Sequence, residues 1–233
     1  MMDQDNVMEE DWNIMILVDA CRYDIFSKAI SNSTLKGELH RVKSLCRNTP
    51  EWYERYFSHI QPDKILVTSS PMPYKFGKEY RNFFRDYPSW KYEDWLLPKS
   101  AFRDFKKAFI SYPNKRFIVH IIPPHLPYFG INGIKFQHNV LKIDKSDGDP
   151  SIYNAVNKYG QENGWNDIIK YYEENVNYAI MAIEQSIDIF KGKVCITSDH
   201  GELIGENNFY GHNVDDTLKI DVPYFVLGGN DDS

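Results

Sequence analysis

The chain has 233 residues, 42% of them apolar, 26% charged and 15% aromatic, an ordinary globular balance that excludes a disordered or fibrous protein. Lys and Arg number 27 against 33 Asp and Glu, a net charge of −6, and no basic block is long enough to track a nucleic-acid backbone, so no nucleic-acid partner is expected. A chain of this length forms a core without disulfide or metal support, so one domain over residues 1–233 is expected and any metal would serve chemistry.

In chain order, the acidic N-terminus, Met1 to Asp11, leads into the apolar run Ile14–Val18. That run is far too short for a membrane span or a signal-peptide core, so neither an integral membrane segment nor export is expected. Together with Ile65–Val67, Phe117–Ile122, Val194–Thr197 and Tyr224–Leu227 it reads as a fully buried strand, since none of these runs alternates as a half-exposed strand does. From Pro71 to Pro98 the chain is crowded with Tyr, Phe, Trp, Arg and Pro without a lasting period, which predicts a surface excursion with short helices. From Asn132 to Trp165 it is polar and contains Asp-Gly-Asp-Pro at Asp147–Pro150, which predicts a loop-rich insertion over one end of the sheet. Over Tyr171–Phe190, Val176, Ile180, Ile183 and Ile187 recur at helical spacing and mark one buried stripe. Buried strands alternating with helices predict a doubly wound α/β fold, a mostly parallel sheet with helices on both faces.

The cysteines, Cys21, Cys46 and Cys195, are odd in number and have no Cys-x-x-Cys spacing. This disfavours a secreted disulfide framework and a thiolate zinc site, and predicts a reducing, cytoplasmic compartment.

The buried runs end in groups that bind cations or titrate. Ile14–Val18 ends in Asp19, Phe117–Val119 in His120 with His125 soon after, and Val194–Thr197 runs through Ser198 into Asp199 and His200. Ligands of open α/β sheets bind beyond the carboxyl ends of the strands, so these groups should share one crevice. A set of Asp and His alone suits a divalent ion such as zinc or manganese. Taken singly, each has a plainer reading: an Asp after a strand serves as a turn former or helix cap, and a lone His as a satisfied core residue. Gly201 after Asp199 and His200 would let backbone approach a bound ion.

Val194–Gly205, VCITSDHGELIG, with Tyr-Gly-His at Tyr210–His212, resembles the C-terminal metal motif of the alkaline phosphatase superfamily, in particular its sulfatase-like branch. Ile16–Phe26, ILVDACRYDIF, resembles the opening strand of that branch, and His120–Tyr128, HIIPPHLPY, its central His-x-x-x-Pro-His-x-Pro-Tyr segment. The three occur in the family's order across roughly the whole chain. The resemblance places the nucleophile within Ser44–Trp52, SLCRNTPEW, at Thr49, where Pro50 and Glu51 mark a helix start. The plain alternative is that Thr49 only caps that helix.

The resemblance implies one ion held by Asp19, Thr49, Asp199 and His200. It assigns His120, His125 and His212 to a second ion or to the substrate, with Asp24 and Asp215 as weak candidates for a second-site carboxylate. Arg22 and Arg47 could clamp a substrate oxygen or simply form surface ion pairs. Cys46 stands in Cys-Arg-Asn-Thr-Pro, without the Pro or Ala and the Arg that formylglycine formation needs in true sulfatases. The implied activity is therefore metal-dependent hydrolysis or transfer of phosphate esters, and less so sulfate esters, through a threonine nucleophile. The substrate would be a small-molecule or a glycan- or lipid-linked ester. The alternatives are a formylglycine-independent sulfatase, a degenerate binding subunit and a phosphosugar mutase.

Overall fold

The computed structural model describes residues 2–68, 85–88, 97–140 and 150–228. Its strands are β1 (Ile14–Val18), β2 (Gly37–Val42), β3 (Lys64–Thr68), β4 (Arg85–Pro88), β5 (Arg116–Ile121), β6 (Val194–Thr197), β7 (Leu203–Ile204), β8 (Tyr210–Gly211) and β9 (Val222–Leu227). Seven of them form one sheet in the order β2-β9-β6-β1-β5-β3-β4, while β7 and β8 make a separate antiparallel ribbon. Within the main sheet, β6-β1-β5-β3-β4 are mutually parallel, and β9 runs antiparallel to both β6 and β2. The expected mostly parallel α/β sheet is thus present, with one reversed strand.

The helices are α1 (Gln4–Glu9), α2 (Tyr23–Ser31), α3 (Thr49–Phe57), α4 (Pro98–Ser111), α5 (Ile131–Lys135), α6 (Pro150–Asn163) and α7 (Asn166–Glu184). They cover both faces because each central strand is apolar on both sides. Ile14, Ile16 and Val18 of β1 face a cluster that includes Phe26 of α2, Phe102 and Phe105 of α4, Val156 of α6 and Val176 of α7. Met15 and Leu17 of the same strand face the opposite cluster, with Val7 of α1 and Trp52, Tyr53 and Phe57 of α3. Each such side chain contributes about 1.5–3 kcal/mol on full burial.

Three expectations are corrected. The stretch from Asn132 to Trp165 is not loop-rich where it is described: Ile131–Lys135 continues into a π-turn at Phe136–Val140, and Pro150–Asn163 is helix, with Asp147 to Asp149 outside the described residues. Its polar residues are the solvent face of helices that bury Phe136, Ile152 and Val156. The predicted helix over Tyr171–Phe190 starts earlier and stops sooner. Ile168 and Tyr172 extend the buried stripe toward the N-terminus, and Gly164 at φ +86°, a value glycine alone adopts without cost, separates α6 from α7. Ile187 falls in a 3-10 turn and is only partly buried. Of the segment from Pro71 to Pro98, Arg85–Pro88 is a strand and Pro98 starts α4, whereas Trp90, Tyr92 and Trp95 lie outside the described residues.

Candidate metal centre

Strands β1, β5 and β6 lie side by side, so their carboxyl ends deliver Asp19, His120 and Asp199 to one place. Alternation sets the face. Asp19 follows the parity of Met15 and Leu17, and His120 that of Ile118, so both point to the side covered by α3. Ala20 next to Asp19 adopts a left-handed conformation at φ +57°, which costs a non-glycine residue on the order of 1–2 kcal/mol. Both of its backbone groups find buried partners there: its N–H donates to Asp199 Oδ1 at 3.1 Å, and its carbonyl accepts the Tyr172 hydroxyl at 2.5 Å.

Helix α3 brings Thr49. Its N-cap is Asn48, whose Oδ1 accepts the Glu51 N–H at 2.8 Å, so Thr49 is the first helical residue and its side chain is released from capping. The Thr49 hydroxyl instead donates to Asp199 Oδ2 at 2.7 Å in a buried setting. His200 donates from Nδ1 to the Gly201 carbonyl at 2.8 Å, which in the neutral ring leaves the Nε2 lone pair free. That Nε2 lies 3.5 Å from Asp19 Oδ1 and 3.6 Å from Asp199 Oδ2. Gly201 has a packing role, since a Cβ there would stand 2.5 Å from the Ile220 side chain.

These donors fit a divalent cation. Asp19 Oδ1 and His200 Nε2 are buried polar atoms without a hydrogen-bond partner, and each alone would carry a desolvation cost of about 1–3 kcal/mol. Asp19, His120 and Asp199 offer ligand atoms within 4.8 Å of one another. Two carboxylates this close in a dry crevice need a positive charge between or beside them. Burial opposes ionisation of Asp19, but His125, His120 and His200 outweigh it and hold the carboxyl well below the usual range. Burial likewise pulls His120 down, while its hydrogen bond to Asp19 pushes it up, and the net shift is upward.

The sequence grouped His120 with His125 and His212; the structure divides them. His120 Nε2 lies 3.1 Å from Asp19 Oδ2, and its Nδ1 faces the Tyr53 hydroxyl at 3.1 Å and Thr68 Oγ1 at 3.3 Å, which places it beside Asp19 and Asp199. His125 and His212 form a second cluster with Glu202. His212 Nδ1 lies 3.0 Å from Glu202 Oε1, while Glu202 Oε2 is buried without a hydrogen bond. The His200 and His212 rings, 4.5 Å apart between centroids, join the two clusters. Glu202 was missed in the sequence, although a charged side chain three residues after Asp199 and next to Leu203 and Ile204 was a usable signal. Asp24 and Asp215 do not supply the second carboxylate, because they pair with Arg22 and Arg47.

The two arginines are occupied. Arg22 donates to both Asp24 oxygens, to Glu206 and to the Glu202 carbonyl, while Arg47 donates to Glu51 and Asp215. Cys46 lies in the apolar cluster under α3, where burial pushes its thiol up to about 12.

No family model and no curated protein matches this chain. Solved structures do match. The C-terminal periplasmic domain of EptC from Escherichia coli in complex with zinc superposes with a TM-score of 0.56 at 15% identity, over 96% of this chain and 74% of that one. The C-terminal periplasmic domain of the phosphoethanolamine transferase EptC from Campylobacter jejuni gives 0.54 at 13%, over 95% and 80%. A 2-O GAG sulfatase gives 0.58 at 9%, over 95% of this chain and 65% of that one. The chain therefore shares the α/β fold of these transferase domains and this sulfatase, the fold that the motifs implied. The cytoplasmic expectation is overturned, since the transferase domains that share this fold are periplasmic. An odd set of free, buried cysteines forms no framework in any compartment and so does not report on the redox environment. Among the described residues no helix is long and apolar enough to cross a membrane.

Proposed function

We propose that this chain is a metal-dependent enzyme that hydrolyses or transfers the phosphoryl group of phosphate esters, with Thr49 as the nucleophile. The observation that carries this reading is the Thr49 hydroxyl at 2.7 Å from Asp199 Oδ2, at the start of a helix and beside the unpartnered Asp19 Oδ1 and His200 Nε2. Asp19, Thr49, Asp199 and His200 would hold the ion, with His120 behind Asp19. Zinc, or manganese in its place, would lower the pKa of the threonine hydroxyl and offset charge building on the phosphoryl oxygens.

The chain's own residues do the rest. Asp199 Oδ2 holds the Thr49 proton and sets the direction of the oxygen lone pairs. His125 and His212 receive phosphoryl oxygens. Glu202, paired with His212 Nδ1, fixes the orientation of that ring and leaves its other nitrogen for a substrate oxygen. The second cluster also has an unpartnered atom, Glu202 Oε2, and its residues could hold a second ion; it is taken as the substrate site because both nitrogens of His125 are engaged, whereas the unpartnered Asp19 Oδ1 and His200 Nε2 lie 3.5 Å apart. The matching phosphoethanolamine transferase and GAG sulfatase support a glycan- or lipid-linked ester as substrate. Phosphate is preferred over sulfate because Cys46 lacks both the sequence context and the exposure for formylglycine.

The test combines elemental analysis of the purified protein with parallel assays of aryl phosphate, aryl phosphodiester and aryl sulfate, and with mass spectrometry of the trapped enzyme. One bound ion per chain, faster cleavage of phosphate esters and a phosphoryl adduct on Thr49 are expected. Dominant sulfate-ester cleavage, or an aldehyde at Cys46, would overturn the assignment.

A further inference from the structure

Helix α6 belongs to none of the motifs, yet it delivers a side chain into the second cluster. Asn157 anchors the helix to β8: its Nδ2 donates to the Tyr210 carbonyl at 2.8 Å and its Oδ1 accepts the Tyr210 N–H at 2.8 Å. Asn157 also donates to the Tyr153 carbonyl at 2.9 Å, which ties the preceding turn to the same anchor. The half-buried Tyr153 is thereby held edge-on to His212, with ring centroids 5.5 Å apart at 90°. Its hydroxyl lies 2.7 Å from His125 Nε2.

The direction of that hydrogen bond follows from the other ring nitrogen. His125 Nδ1 faces the Leu126 carbonyl at 2.6 Å, and a carbonyl only accepts, so Nδ1 carries the proton and Nε2 of the neutral ring accepts from the tyrosine. The phenol proton is thus aimed at His125 Nε2, a spot bordered by the rings of Tyr153, His125 and His212, with the two histidine centroids 5.3 Å apart. An anion that takes over that spot removes the acceptor from Tyr153 and offers an oxygen in its place. A phenol hydrogen bond to a charged oxygen is stronger than one to a neutral imidazole.

We propose that Tyr153 is a catalytic residue of this site, its hydroxyl donating a hydrogen bond to a non-bridging oxygen of the phosphoryl group held between His125 and His212. This rests on the phosphoryl-transfer reading above. It adds a donor that comes from outside the sheet, so the reach of α6 over β8 becomes part of the specificity for a tetrahedral oxyanion.

The test is the affinity of the zinc-loaded protein for inorganic phosphate, measured by calorimetry for wild type and Tyr153→Phe, with zinc content and melting temperature as controls. Loss of one hydrogen bond to a charged group should weaken phosphate binding by on the order of tenfold or more while both controls hold. Under turnover of an aryl phosphate, kcat/KM should fall by at least the same factor. Equal phosphate affinity in the two proteins would overturn the role of Tyr153 and leave the phosphoryl-transfer reading standing. A wild type that binds no phosphate would overturn both. A wild type that binds phosphate, loses affinity on Tyr153→Phe and cleaves no phosphate ester would support the contact and overturn the transfer reading.

Discussion

Asn48 and Thr49 divide two tasks that a sequence reading assigns to one residue. Asn48 caps α3, and Thr49, one position on, turns its hydroxyl to Asp199. Substitution should therefore separate stability from activity. Asn48→Ala should cost about 1 kcal/mol, a fall of about 2–4 °C in melting temperature at this chain length. Thr49→Ala should leave the melting temperature within that range and remove turnover by several orders of magnitude. Calorimetric scans beside an aryl phosphate assay check both, and retained turnover in Thr49→Ala would return that residue to a structural role. Cys46 makes the opposite point: a motif neighbour that looks reactive in sequence is sequestered under Trp52 and Phe57.

At the scale of elements, α1 braces the site from a position far in sequence from Ser198 and Asp199. Gln4 is buried, and its amide ties three backbone groups together. Nε2 donates to the Ser198 carbonyl at 3.0 Å and the Asp199 carbonyl at 2.8 Å, and Oε1 accepts the Leu45 N–H at 2.7 Å. One side chain thus joins the loop that presents Asp199 to the segment that leads into Thr49. Around it, Asp5 pairs with Arg55 and accepts from the Tyr56 hydroxyl, which straps α1 to α3. Gln4→Ala leaves those backbone groups unpaired and should destabilise the fold by about 2–4 kcal/mol, given a cost of about 1–3 kcal/mol per buried unsatisfied group and incomplete additivity. Denaturant titration measures this, and a loss below about 0.5 kcal/mol would show that water replaces the amide.

At the scale of the molecule, the parallel strands gather like charges at one end of the sheet, and the fold carries the cost of Asp19 and Asp199 facing each other in a dry crevice. An ion that binds only the folded chain should repay it, by about 2.7 kcal/mol when present at a hundred times its dissociation constant. Dialysis against a chelator should lower the melting temperature by several degrees, and zinc should restore it while magnesium, which prefers six oxygen ligands, should not. A melting temperature indifferent to chelation would remove the ion from the site.

Much of this was legible in the chain. The five apolar runs became strands because a strand buried on both faces needs no partner to be recognised, and the Asp and His residues at their ends were visible for the same reason. Strand β2 was not legible, since its Gly-Glu-Leu-His-Arg-Val pattern is that of an exposed edge, stabilised only by antiparallel pairing with β9. The helices of the Asn132 to Trp165 stretch were hidden because their polar residues outnumber the few that pack inward. The amino-acid sequence by itself determined the fold class and the set of chemical groups, both carried by local patterns of burial and residue type. Only the tertiary structure decided which groups come together: that His120 lies with Asp19, that Glu202 completes the second cluster, that Gln4 braces the backbone at Asp199 and that Tyr153 reaches His125. Those relations join residues up to 195 positions apart, and long-range proximity arises from packing and leaves no periodic trace in the chain.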